Sequence, residues 1–148
     1  MIGKSIFLDT SFIVATQVIY HPFFKRATEL RTGFLEKGFR LYTSLLTLDE
    51  FWYVLIGLWQ ASESHLDKGL LYSQLKNATS NILNFENIFI LETNQNGTEI
   101  LKIVDTMHKY KMRPRDSIII SMMKKAGIEN IASFDRDFDK VPGIKRLS

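Results

Sequence analysis

The sequence contains no cysteine, so no disulfide, zinc–thiolate site or cysteine nucleophile can be built from it. Its three histidines, His21, His65 and His108, are spread along the chain without the paired spacing of a histidine metal site. Glycine-rich phosphate-binding loops and the Gly-x-Ser-x-Gly turn of hydrolases are also missing. Any catalysis must therefore depend on carboxylates, hydroxyls and basic side chains.

Long apolar runs are missing as well. The longest charge-free apolar stretch beyond the N-terminal region runs from Phe51 to Ser62 and is shorter than the ~20 residues needed to cross a membrane. Lys4 precedes a mostly apolar stretch to Phe24, as in a signal peptide, but Asp9 interrupts it. The lack of cysteine is compatible with a reducing compartment. We therefore expect a cytoplasmic protein without a membrane segment.

Length and charge set further bounds. The chain has 148 residues, the size of one domain, and we expect a single domain over residues 1–148. Up to Leu101 there are 8 basic and 10 acidic residues, whereas 11 basic and 6 acidic residues follow. A basic C-terminal third suits a polyanion such as RNA or DNA. From charge alone, a solvated lysine-rich surface is an equally good explanation.

Apolar periodicity predicts strands that alternate with helices. The predicted strands cover residues 2–8, 41–43, 87–92, 131–134 and 144–147, and the predicted helices cover residues 11–20, 22–37, 48–59, 64–82, 100–108 and 114–126. Such alternation favours a parallel sheet covered on both faces, with ligands bound outside the carboxyl ends of the strands. We therefore predict an α/β fold.

Four acidic residues, Asp9, Glu50, Asp116 and Asp135, each lie where an apolar segment meets a turn or a helix start. In an alternating strand and helix pattern, side chains at such positions can converge at one edge of the sheet. Hard oxygen ligands are those that Mg²⁺ and Mn²⁺ prefer. The four carboxylates therefore indicate a candidate metal site of a phosphodiesterase.

Each of these acids also has a structural explanation. Asp9 could cap the helix that follows it. Thr47 and Glu50 fit a capping box, in which the glutamate reaches back to the backbone N–H of the threonine. Asp116 follows Pro114 in a first helical turn, where an acid gains from the helix macrodipole.

Asp135 lies in a short acidic tract, in which some of the acids could be solvated loop residues. Asp135, Asp137 and Asp139 alternate along the chain, and acids in such a tract are often solvated loop residues. We expect at least two of the three to be of that kind. Only Asp135 is therefore assigned to the candidate site.

Four segments together resemble the PIN domain family, and in particular its small VapC-like toxin ribonucleases. They are Phe7-Leu8-Asp9-Thr10-Ser11, Thr47-Leu48-Asp49-Glu50, Pro114-Arg115-Asp116-Ser117 and Ala132-Ser133-Phe134-Asp135-Arg136-Asp137-Phe138. The resemblance runs nearly end to end and is most specific from Arg113 to Leu147. It implies a three-layer α/β/α sandwich with about five parallel strands, and Mg²⁺- or Mn²⁺-dependent cleavage of RNA.

The resemblance also assigns roles to residues. It implies a cleft lined by Asp9, Glu50, Asp116 and Asp135 as catalytic and metal-binding residues. Ser11 and Ser133 match hydroxyl positions that support the acidic cluster, with serine at 133 where threonine is more usual. Ile119 is a departure, because some relatives carry a histidine there. Family members often form homodimers, and the toxins are inhibited by a small antitoxin protein.

Three basic residues, Lys111, Arg113 and Arg115, lie in or next to the same loop as Asp116 and are expected to contact substrate phosphates.

Three candidate functions follow from the sequence. The leading one is an endoribonuclease, the toxin of a toxin–antitoxin pair. The alternatives are a structure-specific DNA nuclease, and a module that binds RNA or protein without cleaving.

Overall fold

The computed structural model describes residues 4–62 and 67–148. The strands are β1 (Ser5–Leu8), β2 (Arg40–Thr43), β3 (Ile88–Ile90), β4 (Asn130–Ala132) and β5 (Lys145–Leu147). The α-helices are α1 (Thr10–Gln17), α2 (Phe24–Glu36), α3 (Leu45–Ala61), α4 (Lys68–Leu83), α5 (Gly97–Tyr110) and α6 (Pro114–Ala126), and a short 3-10 helix covers Arg136–Lys140. Among these residues, no helix has the length and apolar character to span a membrane.

The five strands form one parallel sheet in the order β3-β2-β1-β4-β5. The chain starts at the central strand, builds outward through β2 and β3, and then returns to place β4 and β5 on the other side. The strand order therefore reverses between β1 and β4. In open parallel sheets, ligands bind at this reversal, outside the carboxyl ends of the strands.

The central strand β1 is buried on both faces, as its unbroken apolar character predicts, whereas the edge strands β3 and β5 are partly exposed. Ile6 and Leu8 point into a core formed with α1, α2, α3 and α4, whereas Phe7 points into a second core with Ile120 of α6 and Phe138. Helix α5 packs on α6 outside this second core. The predicted three-layer α/β/α arrangement is thus confirmed.

Five of the six helix starts differ from the prediction. Helices α1, α2 and α5 begin at Thr10, Phe24 and Gly97 rather than at residues 11, 22 and 100, and the starts of α3 and α4 are set by their caps. Helix α3 begins at Leu45, because the Ser44 hydroxyl accepts a hydrogen bond from the Thr47 backbone N–H at 3.2 Å. The predicted capping box between Thr47 and Glu50 is therefore wrong. Helix α4 is capped by Asp67, whose carboxylate accepts from the Leu70 N–H at 2.9 Å. Ser64, the predicted start of that helix, lies outside the described residues.

Helix α6 matches its predicted bounds. Pro114 occupies its first position, where the missing N–H costs nothing. Gly127 ends the helix with φ 69°, a left-handed conformation that glycine adopts without strain. Because α6 starts close to the carboxyl end of β4, its first turn lies beside the edge of the sheet where ligands bind.

Candidate active site

The four predicted acids line one cleft at the carboxyl edge of the sheet, with a volume of about 220 Å³. The cleft is lined by Asp9, Thr10, Ser11, Val14, His21, Glu50, Val54, Arg113, Asp116 and Asp135. Its acids come from four separate segments: the end of β1, helix α3, the start of α6 and the loop after β4. Parallel strand order thus brings together residues that are far apart in sequence.

Asp9 occupies the position before α1, but its side chain makes no capping hydrogen bond. Its Oδ2 instead accepts from the hydroxyls of Ser11, at 2.9 Å, and Ser133, at 2.7 Å. The helix-cap explanation of Asp9 is therefore wrong. Burial raises the pKa of this carboxyl, and the two hydroxyl hydrogen bonds oppose that rise.

The same two serines also hold the loop after β4. Ser11 Oγ accepts from the Phe134 backbone N–H, and Ser133 Oγ accepts from the Asp135 N–H, both at 3.0 Å. The hydroxyls lie 3.1 Å apart. One hydroxyl pair therefore connects the Asp9 carboxylate to the backbone that carries Asp135, as expected for residues that support an acidic cluster.

Glu50 lies in the second turn of α3. Its side chain is positioned in the cleft by Thr10, a residue that the sequence analysis did not single out. Its Oε2 accepts from the Thr10 hydroxyl at 3.1 Å, and its Oε1 is 4.0 Å from Arg115 Nη1. Thr10 Oγ1 also lies 3.3 Å from the Thr47 carbonyl oxygen. Because Thr10 directly follows Asp9, it fixes Glu50 relative to that carboxylate.

Asp116 is the third residue of α6 and is only 4 % exposed. Its place in the first turn agrees with the macrodipole explanation. Burial nevertheless raises the pKa of Asp116 to about 6, because desolvation outweighs the attraction of Arg113, and the nearby Asp9 and Asp135 add to the rise. A carboxylate that is costly to ionise gains strongly from a bound cation.

The closest gathering of acids is Asp116, Asp135 and Asp137, whose carboxylate oxygens lie within 4.8 Å of one another. Within the described residues, Asp9 and Glu50 line the same cleft without belonging to this group. We call Asp116, Asp135 and Asp137 the acidic triplet. Its donors are all hard oxygens at a spacing suited to one divalent ion, so these residues fit Mg²⁺ or Mn²⁺.

The position of Asp137 differs from the expectation that at least two acids of this tract are solvated loop residues. Asp135 Oδ1 accepts from the Asp137 N–H at 2.9 Å and so caps the 3-10 helix that follows. That turn brings Asp137 beside Asp135 and Asp116, so it is not simply a solvated residue. Asp139 does lie outside the cleft, where both of its oxygens accept from Arg146. The Asp-x-Asp spacing was the only sequence signal for Asp137.

The three basic residues of the loop differ in their surroundings. Lys111 ends α5 in a left-handed conformation, with φ 54°, and is exposed. Arg113 donates from Nε to Asp116 at 3.2 Å and from Nη2 to Asp135 at 2.9 Å. Arg115 donates to Asp49 at 3.1 Å. Both arginines are therefore paired with carboxylates, which the sequence analysis did not foresee.

A five-stranded parallel sheet with an acidic cleft at its strand reversal defines an α/β protein with a candidate metal site. A model of the PIN domain family matches residues 6–144. The chain therefore belongs to the PIN domain family, whose members are nucleases.

Solved structures share the fold at low sequence identity. VapC20 of Mycobacterium tuberculosis, a toxin that cleaves the sarcin–ricin loop, is 20% identical with a TM-score of 0.64, over 90% of this chain and 92% of that one. VapBC2 of Rickettsia felis, bound to a promoter DNA fragment, is 14% identical with a TM-score of 0.64, over 97% of each chain. PAE2754 of Pyrobaculum aerophilum is 15% identical with a TM-score of 0.60, over 97% of this chain and 89% of that one. A sequence search among curated proteins found no match.

The raised pKa of Asp116 predicts an unusual pH dependence of stability in the metal-free protein. Between its usual value of 3.8 and about 6, the folded state binds more protons at Asp116 than the unfolded state does. The contribution of this group to the free energy of unfolding therefore falls as the pH rises through that window. Asp116→Asn should remove this contribution.

The measurement is a set of thermal melts in EDTA from about pH 4.5 to about pH 7.5. The wild type should lose stability relative to Asp116→Asn as the pH rises. Parallel curves for the two proteins would contradict the assignment of a raised pKa to Asp116.

Proposed function

We propose that this chain is a metal-dependent endoribonuclease and the toxin of a toxin–antitoxin pair. The observation that carries the nuclease part is the acidic triplet, whose carboxylate oxygens lie within 4.8 Å of one another and two of whose members, Asp116 and Asp135, line the same cleft as Asp9 and Glu50. Carboxylates at this density repel one another and lose solvation, and in the metal-free structure Arg113 and Lys140 offset part of their charge. Such an arrangement is favourable when a divalent cation binds there.

The acidic triplet would hold the ion, with Asp9 and Glu50 close by. A bound Mg²⁺ or Mn²⁺ supplies Lewis-acid stabilisation of the charge that develops on the phosphodiester, together with a water of lowered pKa. This chemistry requires ionised carboxylates. The ion would therefore bind more weakly below about pH 6, where Asp116 is protonated.

The chain's own residues position the groups of the reaction. The hydroxyls of Ser11 and Ser133 hold Asp9 Oδ2 and the loop that carries Asp135 in one hydrogen-bonded unit. Thr10 holds Glu50 Oε2, and Glu50 Oε1 lies 4.0 Å from Arg115 Nη1, so both oxygens of Glu50 are positioned by neighbouring side chains. Proximity of this kind lowers the barrier because the groups need no reordering when substrate binds.

RNA is the substrate class that the comparisons favour. VapC20, which shares the fold, cleaves the sarcin–ricin loop. The C-terminal third of the chain carries 11 lysine and arginine residues, of which Arg113 lines the cleft, and this excess of positive charge suits the binding of a phosphate backbone. VapBC2 is a complex named for both toxin and antitoxin. The VapBC2 neighbour supports an antitoxin partner, and a cytoplasmic site of action belongs to the proposal. A homodimer is part of the same proposal.

Nuclease activity should depend on Asp9 and Asp116. Asp9→Asn and Asp116→Asn each keep the side-chain volume but remove a charge from the cleft, and each should lower RNA cleavage by more than about 100-fold. Asp105→Asn, on an exposed position of α5, is the matched control and should cleave normally. Cleavage is measured with Mn²⁺, Mg²⁺ or EDTA, and circular dichroism checks the fold.

The substrates are single-stranded RNA, a hairpin RNA, and DNA as a single strand and as a 5′ flap. RNA cleavage that persists in EDTA would exclude metal dependence. Preferential cleavage of flap DNA would favour the alternative nuclease function, and retained activity in both cleft variants would remove Asp9 and Asp116 from the catalytic role.

RNA binding should depend on salt through the basic loop. In the inactive Asp116→Asn background, Lys111→Ala should flatten the slope of log affinity against log salt by about 0.7 for single-stranded RNA. Lys25→Ala, whose side chain is 91% exposed on α2, is the control and should leave the slope unchanged. Fluorescence anisotropy over a KCl titration measures both, and equal slopes for the two variants would place the RNA path elsewhere.

Expression of the chain in a bacterium tests the toxin part separately. Wild type should arrest growth, and Asp116→Asn at the same protein level should not, because arrest requires cleavage. Co-expression of a small protein encoded next to the gene should restore growth if that protein is the antitoxin. If cells grow normally while the wild-type enzyme is active, the proposed nuclease function stands and the proposed toxin function is excluded.

A further inference from the structure

Arg113 occupies the N-cap position of α6, where an arginine cannot perform the usual function. An N-cap side chain accepts a hydrogen bond from the first turn, whereas a guanidinium can only donate. Arg113 accordingly makes no side-chain capping bond. The local needs of the helix therefore do not account for this residue.

The guanidinium instead bridges two members of the acidic triplet. Its Nε donates to Asp116 Oδ2 at 3.2 Å, and its Nη2 donates to Asp135 Oδ2 at 2.9 Å. The other oxygen of Asp135 accepts from the Asp137 N–H. Both oxygens of Asp135 are therefore already engaged, one of them by a positive charge.

A divalent ion at the acidic triplet and this guanidinium would share the carboxylates of Asp116 and Asp135. A metal ligated by Asp116 and Asp135 would lie within a few ångströms of the guanidinium, and the two cations repel each other at that separation. Loss of the Arg113 contacts is therefore the cost of metal binding. The Arg113 side chain is 67% exposed and has room to leave, whereas its partners Asp116 and Asp135 are only 6% and 28% exposed and stay in the site.

We propose that Arg113 is a tethered competitor of the metal, which occupies the acidic triplet in the metal-free protein and is released when the ion binds. The released guanidinium is then available to a phosphate, for which its planar set of donors is well suited. Metal loading and exposure of a phosphate-binding group thereby become one event. This inference rests on the metal site of the proposed function.

Arg115 provides a matched control. It lies two residues away and carries the same charge, but its partners are Asp49, at 3.1 Å, and Glu50, at 4.0 Å, both of which are outside the acidic triplet. Substituting either arginine by glutamine removes one positive charge from the loop. Only Arg113→Gln also frees the oxygens of Asp116 and Asp135.

The test is Mn²⁺ binding without RNA, by calorimetry and by the electron paramagnetic resonance signal of free Mn²⁺, at constant ionic strength. Arg113→Gln should bind Mn²⁺ about tenfold more tightly than wild type, equivalent to about 1.4 kcal/mol. Arg115→Gln should change the affinity by less than about threefold, since it alters only the surrounding field. Arg113→Lys, which keeps the charge without the two-pronged geometry, should fall between wild type and Arg113→Gln.

Each other result has a definite meaning. Equal tightening in both glutamine variants would show a general charge effect and overturn the competition. Weaker binding in Arg113→Gln would mean that Arg113 supports the metal site, which also overturns it. If wild type binds Mn²⁺ and only the difference between variants is missing, this inference fails and the metal site stands. If neither wild type nor Arg113→Gln binds Mn²⁺, both fail.

Discussion

The structure depends on how negative charge is accommodated at the carboxyl edge of the sheet. Buried carboxylates lose hydration and repel one another, and each needs a donor or a cation in compensation. Asp9 and Asp116 are both almost fully buried, and the pKa of each is raised. The hydroxyls, the arginine and the turn after β4 can all be understood as responses to this one electrostatic problem.

Several features of fold and site follow from sequence because local rules determine them. The apolar stretch before Asp9 predicts a buried strand. Ligands bind outside the carboxyl ends of parallel strands, so a polar residue at that end is a candidate ligand-binding residue. Pro114 and Gly127 define α6 because each has a preferred place at a helix end. The parallel strand order is then sufficient to explain why Asp9 and Asp116 lie in the same cleft.

Other features depend on three-dimensional placement that spacing does not specify. Ser44 and Thr47 are both good helix starts, and packing selects Ser44, which moves Glu50 from a cap into the second turn of α3. Asp137 joins the acidic triplet because Asp135 caps a 3-10 turn, whereas a run of alternating acids predicts a solvated loop. Thr10 contacts Glu50 across 40 positions of sequence, and no pattern within one segment reveals such a contact.

The site compensates its carboxylates in two different ways, and the difference has a consequence for binding. Ser11 and Ser133 are neutral donors, so they can keep their hydrogen bonds to Asp9 when a cation arrives. Arg113 is a cation, so its contacts with Asp116 and Asp135 compete with any ion that uses the same oxygens. Neutral donors therefore make Asp9 a fixed element of the cleft, whereas in the proposed competition the arginine makes the acidic triplet responsive to a metal. On that proposal, a protein that used hydroxyls at every acid would hold an ion more tightly but would lose the coupling between metal binding and the release of a phosphate-binding side chain.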